Sequence, residues 1–148
     1  MAYILLAVFI FVLDVFMKNR IEARDRENFP VRLDNGISLE KHHNKGFILN
    51  KMDHKPELVK LLSVITVIPL LIWAVWLFVK KAGVLGKTGA AFLLGGAASN
   101  IYDRLTRGYV VDYIRLPIKK IRHIIFNIAD FFIFIGAALS AVYGLFKK

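Results

Sequence analysis

The sequence predicts an all-α membrane protein with four transmembrane helices and a small platform that contains β-strands. Of its 148 residues, 57% are hydrophobic, and the mean hydropathy is +0.54. This composition is too apolar for an ordinary soluble domain of the same size. Four apolar runs of helical length are separated by two long polar connections and one short one. The polar residues inside these runs lie toward the ends that face the long connections.

The second apolar run is the clearest membrane-spanning helix. Residues 61–79 are nineteen residues without a charge, between Lys60 and Lys80, and about 20 apolar residues cross the hydrocarbon core. The first run lacks the basic start and the small-residue cleavage site of a signal peptide, so we expect it to stay in the protein. Residues 1–148 are predicted to be a single membrane domain, with spans at about 2–18, 59–80, 86–104 and 124–146.

The connections at about 19–58 and 105–123 are predicted to form the platform. Asp34-Asn35-Gly36 is a turn signal directly before the β-compatible stretch Ile37-Ser38-Leu39, which predicts a small hairpin or a sheet platform. Residues 109–116, which precede Pro117, predict an extended strand. This strand would carry Asp112.

Polar residues inside the predicted spans lie near one side of the membrane. With four spans, both termini share the opposite side with the turn at residues 80–87. If the last helix begins near Ile124, Asp130 lies about 9 Å along its axis. The sequence therefore predicts a shallow pocket that opens to the platform side, with Asp14 from the first span, Asn100 and Asp103 from the third, and Asn127 and Asp130 from the fourth.

Small residues in the third and fourth spans predict that these two helices touch. Gly95 and Gly96 lie in the third span, and Gly136 lies in the fourth. Such residues allow the backbones of neighbouring membrane helices to approach closely.

The formal net charge of +10 indicates an anionic partner. No nucleic-acid-binding motif is present and the bases flank apolar runs, so anionic lipid headgroups are the expected counter-ions, and nucleic acid is not an expected partner. A bare count of Lys and Arg in the shorter loop would place the platform side in the cytoplasm. The residues counted are Arg104, Arg107, Arg115, Lys119, Lys120 and Arg122. Charge alone leaves the orientation open.

Carboxylates near membrane depth are the main indication of chemistry. Each costs several kcal/mol unless a partner, a cavity or a reaction accounts for it. Two carboxylates brought together share one proton, so that one can accept a proton from water while the other donates to a carbonyl oxygen. Asp112 and Asp130 are the predicted pair. The chain has no cysteine, which excludes a thiol nucleophile, disulfides and thiolate metal sites.

Two motifs in the second half of the chain resemble those of the bacterial signal peptidase II family, the lipoprotein signal peptidases. The first runs from Gly95-Gly96-Ala97-Ala98-Ser99-Asn100-Ile101-Tyr102-Asp103-Arg104 to Gly108-Tyr109-Val110-Val111-Asp112-Tyr113-Ile114. The second is Phe126-Asn127-Ile128-Ala129-Asp130. The first half matches more loosely, through Asp14 with Lys18 and through Asn44-Lys45-Gly46. Family members are intramembrane aspartyl proteases with four transmembrane helices.

The resemblance implies a role for each matching residue. Asp112 and Asp130 would be catalytic, and Asn44, Asn100, Arg104 and Asn127 would contact the substrate. A supporting group would comprise Asp14, Lys18, Gly46, Asp103 and Gly108, with Asp103 structural.

The resemblance also implies the reaction and its location. The substrate would be a prolipoprotein whose cysteine carries diacylglycerol, cut directly before that cysteine. No metal or cofactor is implied, and the expected protein is a monomer among membrane lipids. It would be a multi-pass protein of the bacterial cell membrane, with both termini cytoplasmic and the active site and platform extracytoplasmic.

Some positions depart from the family pattern on the substrate side. Phe47-Ile48-Leu49-Asn50-Lys51 follows Gly46, where the family has small residues and a phenylalanine. Val15 stands where glutamine is common, and Met17 replaces a hydroxyl residue. These changes are compatible with a divergent paralogue.

Two other functions use the same carboxylates. One is a catalytically silent family member, and the other is a small ion or proton carrier. A carrier would place polar groups through the full depth of the bilayer, whereas here they cluster on one side, which favours the protease.

Several other polar residues are expected to have structural rather than functional roles. Asp103 with Arg104 predicts an ion pair at a helix end, and Ser99 is not expected to act as a nucleophile because no lysine shares its helix face or depth. His42, His43, His54 and His123 lack metal-ligand spacing and are expected in loops.

Overall fold

The computed structural model describes residues 1–46, 56–80 and 82–146. It contains four helices and four short strands among those residues. In chain order they are α1 (Ala2–Glu22), β1 (Val31–Arg32), β2 (Ser38–Asn44), α2 (Pro56–Val79), α3 (Val84–Thr106), β3 (Val110–Arg115), β4 (Ile125–Phe126) and α4 (Ile128–Phe146). A single 3-10 turn, Arg26–Asn28, lies between α1 and β1.

Helix α3 lies at the centre and packs against α1, α2 and α4. Its glycines make the close approaches that the small-residue pattern predicts. A Cβ on Gly95 would lie 2.6 Å from the carbonyl oxygen of Ala7 in α1, and a Cβ on Gly96 would lie 2.6 Å from that of Ala129 in α4. Backbone therefore meets backbone on two sides of α3, and the predicted contact between α3 and α4 is confirmed.

This packing gives a first testable prediction. Gly96→Ala should destabilise the protein by about 1–3 kcal/mol, because the new methyl group would overlap a backbone carbonyl that cannot rotate away. Thermal unfolding in detergent measures the effect. Gly144→Ala is the matched control, since a Cβ there meets nothing within 4 Å. Equal melting temperatures for the two variants would contradict the packing.

Among the described residues, three helices are long and apolar enough to cross a membrane, namely Ala2–Glu22, Glu57–Val79 and Ile128–Phe146. Helix α3 has 23 residues but does not reach the same hydropathy. Its glycines and its polar residues, such as Lys87 and Asn100, lower its hydropathy. Helix α3 can carry these residues because it packs against three neighbouring helices, so that much of its surface contacts protein rather than lipid.

The strands form one antiparallel sheet in the order β1-β2-β3-β4. The predicted hairpin is confirmed as β1 and β2, joined through Gly36, whose φ of +80° suits glycine. The predicted strand before Pro117 is confirmed as β3. The sheet packs on the end of α1 through a buried cluster of Ile21, Val111 and Tyr113.

The start of the last helix differs from the prediction. Ile125 and Phe126 pair with β3 as strand β4, and α4 begins at Ile128 rather than near Ile124. The β-branched and aromatic side chains suit a strand, and β3 offers them an open edge. Asp130 therefore lies in the first turn of α4 rather than about 9 Å along it. The other helices extend beyond the predicted spans, with α1 reaching Glu22 and α3 running from Val84 to Thr106.

Candidate active site

A cavity of about 420 Å³ lies where β2, β3 and the start of α4 meet α3. It brings together every residue that the sequence predicts to be catalytic or to contact the substrate. The polar residues of its lining are Asn44, Asn100, Arg104, Asp112, Asn127 and Asp130, with His42 and His123. The apolar residues are Val110, Ile124, Ile125, Phe126, Ile133 and Phe134. The cavity thus combines ionisable groups with a largely aliphatic and aromatic wall.

Asp112 is held by two asparagine amides. It lies on β3 and is 3% exposed. Asn44, at the end of β2, donates from Nδ2 to its Oδ2 over 3.0 Å, and Asn127 donates from Nδ2 to its Oδ1 over 2.7 Å. The Gly46 backbone N–H donates to Asn44 Oδ1 over 3.1 Å, which turns the amide nitrogen of Asn44 toward Asp112. This local turn gives a physical reason for the Asn-x-Gly spacing.

Asn127 and Asp130 cap the start of α4. The Asp130 N–H donates to Asn127 Oδ1 and the Asn127 N–H donates to Asp130 Oδ2, both over 3.0 Å. This reciprocal pair has the geometry of a capping box, which requires the three-residue spacing. Asn100 of α3 donates from Nδ2 to Asp130 Oδ1 over 3.0 Å. Asn127 thus contacts both carboxylates, and the two aspartates belong to one hydrogen-bonded unit.

Burial and charge shift the titration of Asp112. Burial raises its pKa from 3.8 to about 7, and the nearby charge of Asp130 adds to the rise. The hydrogen bonds from Asn44 and Asn127 favour the ionised form and oppose the rise. A carboxyl group with this pKa can hold a proton near neutral pH, which an ordinary surface aspartate cannot.

The raised pKa predicts how stability depends on pH. The folded protein retains the Asp112 proton that the unfolded chain releases above about pH 4, so this contribution is fully present below that pH and is lost as the pH rises through about 7. The loss amounts to at most about 4 kcal/mol. Thermal unfolding between about pH 4 and pH 8 measures it. Asp112→Asn should flatten the pH profile, and an unchanged profile would contradict the assignment.

A buried charge network lies behind the cavity. Lys18 of α1 is fully buried, and its Nζ lies 2.7 Å from Asp14 Oδ2 and 3.4 Å from Asp103 Oδ2. It also donates to Asn100 Oδ1 over 2.7 Å and to Ser99 Oγ over 3.2 Å. Because Lys18 holds the Asn100 oxygen, the amide nitrogen of Asn100 is left facing Asp130.

The expectation that no lysine reaches the depth of Ser99 was wrong. The close approach of α1 to α3 brings Lys18 beside it. Ser99 is nevertheless fully buried, donates to Asp14 Oδ2 over 2.6 Å and does not line the cavity. It therefore supports the network and has no access to a substrate.

Asp14 and Asp103 tie the helices to the platform. Asp14 accepts hydrogen bonds from the Ala129 N–H over 3.1 Å and from the Tyr113 hydroxyl over 3.3 Å. Asp103 Oδ2 accepts from the Val111 N–H over 3.0 Å. Sequence reasoning did not identify Tyr113, although its alternation with Asp112 along β3 places it on the opposite, core-facing side.

The predicted ion pair between Asp103 and Arg104 is not formed. Asp103 instead makes an ion pair with Arg107 one turn later, with Nε 3.0 Å from Oδ1. Adjacent helical residues point about 100° apart, so Arg104 is directed elsewhere. It lines the cavity and donates from Nη2 to the Gly46 carbonyl over 3.1 Å. Gly108 turns the chain from α3 into β3 with a φ of +80°.

The histidines separate into two groups. His42 and His123 line the cavity, which the sequence did not predict. His43 lies outside it, 2.5 Å from Glu22 and stacked on Tyr109. No cluster of three metal-ligating side chains occurs in the described ranges. His54 and the divergent residues 47–51 lie outside the described residues.

Comparison with known proteins agrees with these motifs. A family model described as Signal peptidase (SPase) II matches residues 6–146. A lipoprotein signal peptidase of Caldicellulosiruptor bescii is 33% identical over 140 residues, which cover 94% of this chain and 87% of that protein. One of Brucella ovis is 31% identical over 138 residues, covering 92% and 82%. One of Alteromonas mediterranea is 51% identical over 58 residues, which span 39% of this chain and 31% of that protein.

Two solved structures share the fold. Both are described as a bacterial membrane enzyme structure obtained by the in meso method. The one at 2.3 Å resolution is 28% identical with a TM-score of 0.82, covering 97% of this chain and 87% of that chain. The one at 1.9 Å resolution is 29% identical with a TM-score of 0.79, covering 99% and 94%. The motifs, the family match and these relatives together establish that the chain belongs to the signal peptidase II family.

Proposed function

We propose that this protein is an intramembrane aspartyl endopeptidase that removes signal peptides from diacylglyceryl-modified prolipoproteins, cutting directly before the lipidated cysteine. The observation that carries the proposal is the pairing of Asp112 and Asp130 through Asn127 in one cavity. Membership of the family, whose relatives are named lipoprotein signal peptidases, supports the same substrate class.

The proposed chemistry needs one proton shared by the two aspartates. The ionised aspartate accepts a proton from water as the water oxygen attacks the scissile carbonyl carbon, and the protonated aspartate donates to the carbonyl oxygen. The tetrahedral intermediate then collapses and the C–N bond breaks. The amine nitrogen takes up a proton from one aspartate while the other aspartate takes back a hydroxyl proton, which leaves a carboxylic acid and a dyad that again holds one proton. The pKa of about 7 for Asp112 supports its role as the protonated partner near neutral pH.

The surrounding side chains have proposed roles that follow from their contacts. Asn44 and Asn127 fix Asp112, while Asn100 fixes Asp130. Because these amides also line the cavity, they can bind a substrate backbone in extended form. Arg104 holds the Gly46 carbonyl, which keeps the first-loop motif beside α3.

A supporting group stabilises this arrangement without touching the substrate. Asp14, Lys18 and Asp103 are buried outside the cavity lining. Gly46 and Gly108 supply turns next to it. The aliphatic and aromatic wall, which includes Ile133 and Phe134 of α4, suits the acyl chains of a lipidated substrate.

We place four spans in the membrane, with both termini cytoplasmic and the sheet platform extracytoplasmic, as a monomer surrounded by lipid. Helix α3 supports this count because its 23 residues extend about 34 Å, enough to cross the hydrocarbon core. Asn100 and Arg104 of this helix face the cavity, and Ser99 and Asp103 are buried in protein. The proposed boundaries of the first three spans remain about 2–18, 59–80 and 86–104, and the fourth span is placed on α4, from Ile128 to Phe146.

Single-cysteine variants test this orientation, because the chain has no cysteine of its own. A membrane-impermeant maleimide applied to intact cells should label Asn35→Cys in the β1–β2 turn. It should label Gly83→Cys, before α3, only after the cells are permeabilised. The reverse pattern would place the platform in the cytoplasm.

Cleavage of matched precursors tests the function itself. Purified protein in detergent is incubated with a diacylglyceryl-modified prolipoprotein and with the same precursor lacking the lipid. Only the lipidated precursor should be cut. If folded protein cut neither precursor, a catalytically silent family member would be favoured. If it cut both equally, the lipid would not determine the specificity of cleavage.

A further inference from the structure

The connection between β3 and β4 carries an unbalanced positive charge. Residues 116–124 include Lys119, Lys120 and Arg122 and no acidic residue. By contrast, residues 22–41 of the same platform contain five acidic and four basic residues. We call residues 118–123 the basic turn.

The basic turn has a defined shape. Its backbone closes two turns, with the Ile121 N–H donating to the Ile118 carbonyl over 3.0 Å and the Ile124 N–H donating to the Ile121 carbonyl over 2.9 Å. Arg115 of β3 forms a two-bond pair with Glu40 and also donates to the Arg122 carbonyl. The charge of Arg115 is therefore neutralised, and this side chain anchors the turn to the sheet.

This anchoring leaves three cations exposed. Lys119, Lys120 and Arg122 are solvent-exposed, and none pairs with a carboxylate within the part of the chain that the structure describes. Ile118, next to them, is 49% exposed. Bases beside an exposed apolar residue are typical of segments that lie in the membrane interface.

The basic turn also borders the catalytic cavity. Its last residue, His123, lines the cavity, and so do the next three residues of the chain, Ile124, Ile125 and Phe126. Phe134 of α4 also lines the cavity and is 56% exposed. Helix α4 is one of the helices apolar enough to cross the membrane. The turn therefore adjoins the apolar wall of the cavity and leads along the chain into a helix that is apolar enough to cross the membrane.

We propose that the basic turn binds the phosphate groups of anionic phospholipids at the rim of the cavity. Charge complementarity and the adjacent apolar surface favour a lipid headgroup over a soluble anion. The proposal rests on the proposed placement of the platform at the membrane surface, but it does not rest on the peptidase reaction. Binding of lipid phosphate would also give these bases a local partner on the extracytoplasmic side, whereas a count of Lys and Arg would place them in the cytoplasm.

Lipid selectivity measures this binding without a substrate. The full-length protein is reconstituted in bilayers of phosphatidylcholine and phosphatidylglycerol, and electron paramagnetic resonance compares the association of spin-labelled forms of the two lipids. The test variant is Lys119→Gln/Lys120→Gln/Arg122→Gln. The matched control, Arg24→Gln/Arg26→Gln/Arg32→Gln, removes the same charge from exposed positions of the acid-balanced segment.

The test variant should lose at least about fivefold in preference for phosphatidylglycerol, because a single surface cation contributes about that factor and the variant removes three. The control should lose less than about twofold. An equal loss in both variants, or no loss in the test variant, would overturn the proposal. Displacement of phosphatidylglycerol by inorganic phosphate beyond the effect of chloride at the same ionic strength would also overturn it, in favour of a soluble phosphate site. If the protein bound lipid selectively but cut no precursor, the proposed peptidase function would be contradicted and the lipid-binding proposal would not.

Discussion

Replacing either Asp112 or Asp130 by asparagine is expected to lower the rate of prolipoprotein cleavage by at least about 10³-fold. Each amide keeps nearly the same shape but cannot take part in the proton exchange, and general acid–base catalysis contributes about 10²–10⁴-fold for one group. Because the two carboxyl groups act as one unit, combining both changes should cost little more than either alone. Initial rates on a lipidated precursor measure the losses.

Asp34→Asn is the matched control for both variants. Asp34 lies exposed in the turn between β1 and β2, outside the cavity lining. Its substitution should leave the rate unchanged, and all three variants should unfold cooperatively near the wild-type temperature. If Asp112→Asn or Asp130→Asn retained more than about a tenth of the wild-type rate, the dyad assignment would fail.

Lys18→Met is expected to destabilise the protein by about 3–5 kcal/mol, because it leaves buried carboxylates without their cation. Asp14 and Asp103 are both fully buried and both lie within 3.4 Å of the Lys18 ammonium. The change also frees the Asn100 oxygen, so the amide of Asn100 can turn away from Asp130. Thermal unfolding in detergent, together with the cleavage rate of the folded fraction, measures both effects.

Arg20→Met provides the comparison for Lys18→Met. Arg20 lies on the same helix but is exposed, with its guanidinium over the Phe16 ring. Its substitution should change stability by less than about 1 kcal/mol. If Lys18→Met were no more destabilising than Arg20→Met, the buried network would not stabilise the site as its geometry indicates.

Local patterns in the sequence account for much of this structure. Long apolar runs predict the helices, and Asp34-Asn35-Gly36 predicts the hairpin, because these signals act over a few residues. The resemblance also identifies Asp112, Asp130 and their asparagines by motif, and these residues line the cavity. The roles of these residues remain predictions until the variants are measured. The histidines and the apolar residues of the lining were not predicted.

The remaining features depend on contacts between distant residues. Strand β4 has two residues and exists because β3 offers them an edge, which periodicity cannot reveal. The contact between Lys18 and Ser99 joins positions 81 residues apart, and it requires knowing that α1 lies against α3. The predicted ion pair between Asp103 and Arg104 was wrong for a related reason. The direction of the Arg104 side chain depends on where the Gly46 carbonyl lies, which the local sequence does not show.

The product masses from one cleavage reaction test the central claim most directly. Wild-type protein and the Asp112→Asn and Asp130→Asn variants are incubated with a diacylglyceryl-modified prolipoprotein, and mass spectrometry locates the cut. The expected result is a single cut directly before the lipidated cysteine by the wild type, with no such product from either variant. A cut at another bond, or the same product from a folded dyad variant, would contradict the proposal that Asp112 and Asp130 perform this hydrolysis.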